Sequence, residues 1–249
     1  MPKSFLLSIL LLISMPALTE KQEFILATGE WAPFTGKNLP NGGMLVEIVE
    51  TALNNTKLKY RIVYLPWKRG YKNLLDGDIE GAFPWMLTAE RERLFSVSDS
   101  IYKSKERFFA SKDFTINYQK YEDFKGLSVC LPLGWTKAPI KEFLDNKILS
   151  LYQPKNEEDC FQGIILKRTH LYSANSLSGW EAIKRAGLNP ADFKEIGPVI
   201  RENTFVLLAS SLKDNNNRLI QEFNRGMRII KNNNAYNEIV KKHLELVLK

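Results

Sequence analysis

Thr88-Ala89-Glu90-Arg91 follows Pro84-Trp85-Met86-Leu87 and opens a dense cluster of charge. A guanidinium among so many apolar side chains is either a solvated surface group or a cation held for an anion, because an unpaired buried charge is costly. Arg91 is therefore the first candidate for chemistry, whereas Arg93 reads as a surface arginine on a helical turn. Trp31, Trp67, Trp85 and Trp135 are the accompanying aromatics. Their faces can wall a flat or aliphatic ligand and exclude water, or they can simply fill a core.

Other chemistry is poorly represented. There is no Gly-x-Ser-x-Gly, no His-Glu-x-x-His, and no cysteine paired with histidine at a recognisable spacing. The histidines, His170 and His243, have no ligand spacing to each other or to the cysteines, so neither a metal nor a cofactor is expected. Glu30 and Glu47 could in principle serve as acid or base, but solvated surface roles suit them better. Cys130 and Cys160 are an even pair, which in an oxidising compartment favours a bridge over two buried thiols.

The 249 residues, 44% hydrophobic and 25% charged, suffice for one large domain or two of about 100 residues each. The formal charge of +7 is spread along the chain with acids interleaved, and no Lys/Arg block points to nucleic acid. At the N-terminus, Met1-Pro2-Lys3 precedes the apolar run Phe5 to Ile13, and Ser14-Met15-Pro16-Ala17 breaks it. This order is that of a secretory signal peptide, assigned to residues 1–19, with Ala17 as the alternative cleavage point. The run is too short to span a bilayer, and no later segment does so, which implies an exported, non-spanning protein.

The elements that must position these residues alternate. "FILAT" reads as a strand, "MLVEIVETAL" as a helix, "LKYRIVYLP" as a strand, Trp67 to Leu75 as a helix, and "IEGAFPW" as a strand. The theme repeats through "GLSVCLP", "APIKEFLDNKI", "LSLYQP", "EEDCFQGIILKR", "THLYSAN" and "GWEAIKRAGL". "TFVLLAS" is a further strand, and two amphipathic helices broken at Asn232-Asn233-Asn234 end the chain. Two α/β halves, each with its own mostly parallel sheet, imply two lobes with a cleft between them.

Several ordered pieces, "EWAPF", "GGMLVEIVETAL", "DGDIEGAF", "TAERERLFSVSDSIY", "FKGLSVCLPLGWT" and "FNRGMRIIKNNNAYNEIVKKH", together resemble the periplasmic solute-binding proteins of the polar amino-acid type, family 3. The resemblance covers nearly all of the chain after the signal. It implies the type II periplasmic binding protein fold, with lobes joined by two crossing strands: residues 20–103 plus 204–249 as one lobe, 104–203 as the other. It implies that Arg91, in the Thr-x-x-Arg motif, binds a ligand carboxylate, with Asp99 and Tyr102 matching a downstream acid and aromatic. It also implies contacts from Trp31 and Phe34, from Trp67 with Arg69 as a second anion contact, and from Gly134-Trp135-Thr136 at a helix start.

Two departures from the family pattern bear on the ligand. Asn175 stands where relatives carry an acid for an ammonium, and Phe83-Pro84-Trp85-Met86 replaces serines upstream of Arg91. The pocket is thus expected to be more apolar and to favour a small carboxylate-bearing solute. The function expected is periplasmic capture of that solute by a monomer for an inner-membrane ABC permease. A dehydratase-like enzyme on the same fold and a ligand sensor are the alternatives.

Overall fold

Phe24, Leu26 and Ala27 are buried in the first strand, β1 (Glu23–Thr28), in a computed structural model that describes residues 23–213 and 216–248. The expected signal peptide lies outside the described residues. β1 pairs in parallel with β2 (Lys59–Tyr64) and β3 (Gly81–Met86). Helices α1 (Met44–Asn54) and α2 (Trp67–Asp76) make the crossovers, as βαβ units require. A short α3 (Ala89–Leu94) leads to β4 (Phe95–Val97) and then to the ten-residue β5 (Tyr102–Ser111).

The second half repeats the pattern. β6 (Leu127–Cys130) pairs in parallel with β7 (Leu149–Tyr152) and β8 (Leu171–Asn175). Between them lie α4 (Lys141–Asp145), α5 (Glu157–Ile165) and, after β8, α6 (Ser176–Arg185). The 18-residue β9 (Phe193–Ser210) returns to the first half, and α7 (Asn216–Asn232) and α8 (Ala235–Leu248) follow. Among the described residues no helix is long and apolar enough to cross a membrane.

The two halves share one curled sheet rather than owning two separate ones. Its order is β2-β1-β3-β9-β5-β8-β6-β7, with β4 also on β9. β5 and β9 pair antiparallel from Tyr102 opposite Phe205 to Ser111 opposite Phe193. The register jumps between Glu106–Arg201 and Phe108–Ile196, a bulge that leaves extra residues on β9 around Gly197 and Pro198. β9 is therefore far longer than the "TFVLLAS" run, because its charged first half is only partly buried and lacks an apolar signature. The helix expected over "APIKEFLDNKI" is broken: a 3-10 turn (Ala138–Ile140) precedes the five-residue α4. Pro139 at the start of this segment suits such a turn.

One core lies under α1, α7 and α8, where Ile48, Val49, Phe223 and Met227 are buried with Leu26 of β1. In the second half, Phe108, Val129 and Phe143 pack on one side, while Phe109, Phe161 and Tyr172 pack on the other. Cys130 at the end of β6 is bonded to Cys160 in α5. Helices α1 and α7 meet at Gly226, where an added Cβ would lie 2.1 Å from the Ala52 carbonyl oxygen.

Gly226→Ala should therefore destabilise the protein by about 1–3 kcal/mol, despite alanine's higher helix propensity, because backbone on the facing helix cannot yield like a side chain. An unchanged urea midpoint would contradict this close packing. Replacing both cysteines by alanine should cost about 3–4 kcal/mol through the freed unfolded chain, measured by the same denaturation under non-reducing conditions.

Candidate functional site

Arg91 is placed by the turn that ends β3 and begins α3. Thr88 is extended and caps the helix, its hydroxyl accepting from the Arg91 N–H at 3.3 Å. The arginine then folds back: Nη1 donates to the Met86 carbonyl at 2.6 Å. Its guanidinium carbon lies 4.7 Å from the centre of the Trp85 ring and 5.6 Å from that of Tyr71. Cation–π contact holds the fork without neutralising it. Among the described residues no carboxylate pairs with Arg91, so its other N–H donors are available to an anion.

The guanidinium borders a cavity of about 440 Å³. Trp31, Trp67, Trp85, Pro84 and Met86 line it with Glu30 and Phe205, and Trp135 comes from the second half. This size and a mostly apolar lining with two charged residues, Arg91 and Glu30, are those of a small-molecule site. The buried Trp85 Nε1–H has no partner among the described residues.

Local backbone explains the tryptophans. Trp31 and Thr35 exchange backbone hydrogen bonds of 2.7 and 2.9 Å, closing a tight loop after β1. The Trp31 ring packs on Phe205 at 4.9 Å and on Phe34 at 4.2 Å between centroids. Trp67 opens α2 and donates through Nε1 to the Glu30 carbonyl at 3.2 Å. A Cβ on Gly29 would sit 2.4 Å from that indole, so only glycine admits it here.

A second cavity, about 150 Å³, adjoins the first and shares Trp31, Met86, Trp135 and Phe205 with it. Thr136, Asn175 and Ser178 reach it from the second half, and Ser104, Glu106 and Asn203 from the crossing strands. Glu106 is 9% exposed, and burial pushes its carboxyl up to about 7, partly offset by a Ser173 hydrogen bond and the Arg201 charge.

The sequence-derived residues thus separate. Trp31, Trp67, Trp85, Arg91 and Trp135 line the larger cavity, and Thr136 and Asn175 the smaller. Phe34 is fully buried beneath Trp31 and borders neither, since the tight loop turns it into the core. Arg69 is exposed on α2, away from both. Asp99 lies at the surface, its N–H donating to Asn224 Oδ1 at 2.9 Å. Gly134 is an exposed left-handed turn residue (φ 84°) bordering neither cavity.

The Thr136 oxygen accepts from the Ala138 N–H at 3.3 Å, so it shapes its own turn. The expected helix start there is only the 3-10 turn. Asn175 Oδ1 caps α6, accepting from Leu177 and Ser178 N–H groups at 3.0 and 3.2 Å. Glu47 faces away from the cavities, bonded to Lys242, His243 and Asn41. Sequence reasoning missed Glu106, Ser104 and Asn203. The signal was present in the period-two run Ser104, Glu106, Phe108, whose inward face is set by the phenylalanine.

Among the described residues no cluster of histidines, cysteines and acids could hold a metal ion. No curated protein matches the chain. Among solved structures, a histidine kinase sensor domain similar to periplasmic binding proteins has a TM-score of 0.71 at 16% identity, covering 90% of this chain and 96% of its own. The second substrate-binding domain of a putative amino acid ABC transporter from Streptococcus pneumoniae aligns with a TM-score of 0.67 and 17% identity, over 90% and 100% of the two chains. An ancestral amino acid-binding protein, a precursor of cyclohexadienyl dehydratase, gives 0.68 and 18%, over 89% and 95%. These likenesses give the fold, two lobes of the type II periplasmic binding protein kind. The family model of bacterial extracellular solute-binding proteins, family 3, matches residues 25–245, and the chain belongs to that family.

Proposed function

We propose that this protein captures a small carboxylate-bearing solute between its lobes outside the cytoplasm and delivers it to an ABC permease. The lobes are residues 20–103 with 204–249, and 104–203. The observation carrying this reading is the Arg91 guanidinium, held over Trp85 at the edge of a 440 Å³ cavity with no carboxylate partner among the described residues. A ligand carboxylate completes its fork with charge-assisted hydrogen bonds, strengthened where the indoles exclude water. Trp135 is the contact from the opposite lobe, so closure is favoured when a ligand touches both sides. Capture and release need no covalent step.

The second reading, a ligand sensor, draws on the likeness to the histidine kinase sensor domain. The two differ in the partner that reads the closed form, not in the site. Turnover of a cyclic organic acid by the purified protein would instead establish the dehydratase-like alternative.

A thermal-shift screen of amino acids and organic acids identifies carboxylates that stabilise the protein. Arg91→Ala should weaken the best of them by about 10–100-fold, the value of one or two charged hydrogen bonds, with the melting temperature of the unliganded protein nearly unchanged. Calorimetry showing equal affinity in the variant would remove Arg91 from the site and the proposal with it.

A further inference from the structure

Strand alternation gives β5 two faces with separate uses. Ser104 and Glu106 border the cleft, whereas Lys103 and Lys105 face the other way and border a further cavity of about 270 Å³ behind the crossing strands. Other walls of this cavity come from both halves of the molecule: Leu177 and Trp180 from α6, and Leu244 from α8. Leu177 is buried in the core under α1, α7 and α8, with Trp180 and Leu244 packed against it. The Trp180 ring also meets Phe109 of the second half edge-on, at 5.3 Å between centroids. α6 and α8 therefore meet behind the sheet, and the cavity lies where their seam reaches β5. Its volume approaches the roughly 300 Å³ at which small-molecule sites begin.

The free polar groups here are donors. Lys103 and Lys105 lie about 6.6 Å apart along the strand. Neither makes an ion pair or a side-chain hydrogen bond among the described residues. Asn175, 9% exposed, uses Oδ1 to cap α6, and its Nδ2 donors have no partner among the described residues. Among the described residues no carboxylate borders the cavity. Glu202, opposite Lys105 on β9, does not pair with it, and Glu195 is taken by Arg107 at 3.2 Å and by Trp180 Nε1 at 2.8 Å. Two ammonium groups on one strand face repel each other, and an anion set between them is attracted to both.

We infer that this rear cavity is a second binding site, for a small amphipathic anion. Its carboxylate or sulfonate meets Lys103, Lys105 and the Asn175 amide, and its aromatic or aliphatic body lies between Trp180 and Leu244. Such a molecule bridges the two halves from behind β5, out of contact with Arg91 and the tryptophans of the cleft. The two sites stand back to back: Asn175 borders both this cavity and the 150 Å³ one, and Ser104 of the latter separates the two lysines in the chain. An occupant of the rear site favours the present spacing of α6 and α8 by contacts that owe nothing to a solute in the cleft. The site does not depend on the Arg91 reading.

Dansylate, a naphthalene sulfonate whose emission rises in apolar surroundings, is a suitable probe. Titrated into the purified protein, it should bind with a dissociation constant below about 1 mM. Affinity should fall at least about tenfold in the double variant Lys103→Gln with Lys105→Gln, and by less than about twofold in Arg91→Ala. Both lysines are exposed, so the double variant should keep the wild-type melting temperature. Hydrogen exchange read by mass spectrometry locates the probe independently: bound dansylate should slow exchange in α6 and α8 and leave the turn from Met86 to Arg91 unchanged. No binding to wild type at about 1 mM, or equal binding to the double variant, overturns the rear site. So does a loss in Arg91→Ala as large as in the lysine variant, or protection confined to the turn at Arg91, since either places the probe in the cleft.

Discussion

β5 and β9 hydrogen-bond to each other across the junction of the two halves, and among the described residues the sheet is continuous only through their ladder. Each half is a parallel βαβ unit with apolar packing beneath its helices. A parallel unit buries both faces of its sheet, so its strand ends and loops are what remain for a ligand. The ladder fixes where those ends face one another. It also puts residues of its own, Ser104, Glu106, Asn203 and Phe205, at the back of the cleft.

The two cavities of the cleft differ in polarity for a reason that lies in the chain. The larger one is lined by loop and strand-end aromatics, Trp31, Trp67 and Trp85, with the Arg91 cation and the Glu30 acid. The smaller one is bordered by strand positions whose outward neighbours are charged and solvated, Lys103 and Lys105 among them. Strand alternation leaves little choice about which side each residue serves. A cation on an aromatic bed and a carboxyl among hydroxyl and amide groups thus border two cavities that share Trp31, Met86, Trp135 and Phe205. Complementary charge on a solute matters more in such a site than the area it buries.

Much of this was legible in the residues. The helical spacing of Met44 to Leu53 and the apolar runs of β1, β6 and β8 announced a repeated α/β unit, and Thr88 with Arg91 marked the capped turn whose guanidinium borders the larger cavity. β5 and the first half of β9 were hidden because their exposed faces carry lysines, arginines and glutamates, and Gly197-Pro198 interrupts β9 just where the ladder bulges. Glu106, set in Ser-Lys-Glu-Arg, resembles a solvated acid until its alternation with Phe108 is weighed. Asn175 was found at the end of β8, but the amide at a strand-to-helix junction carries a cap signature as strong as any ligand signature. Phe34 and Trp31 are three residues apart, and only the tight turn decides which of them faces the cavity.

The bond between Cys130 and Cys160 ties a strand to a helix within one half and leaves the facing half untouched. As a fastener it acts on the stability of that half by restricting the unfolded chain. Both sulfurs are fully buried, so thiol chemistry in the surroundings reaches the bond only when that half opens, and the bond in turn holds that half shut.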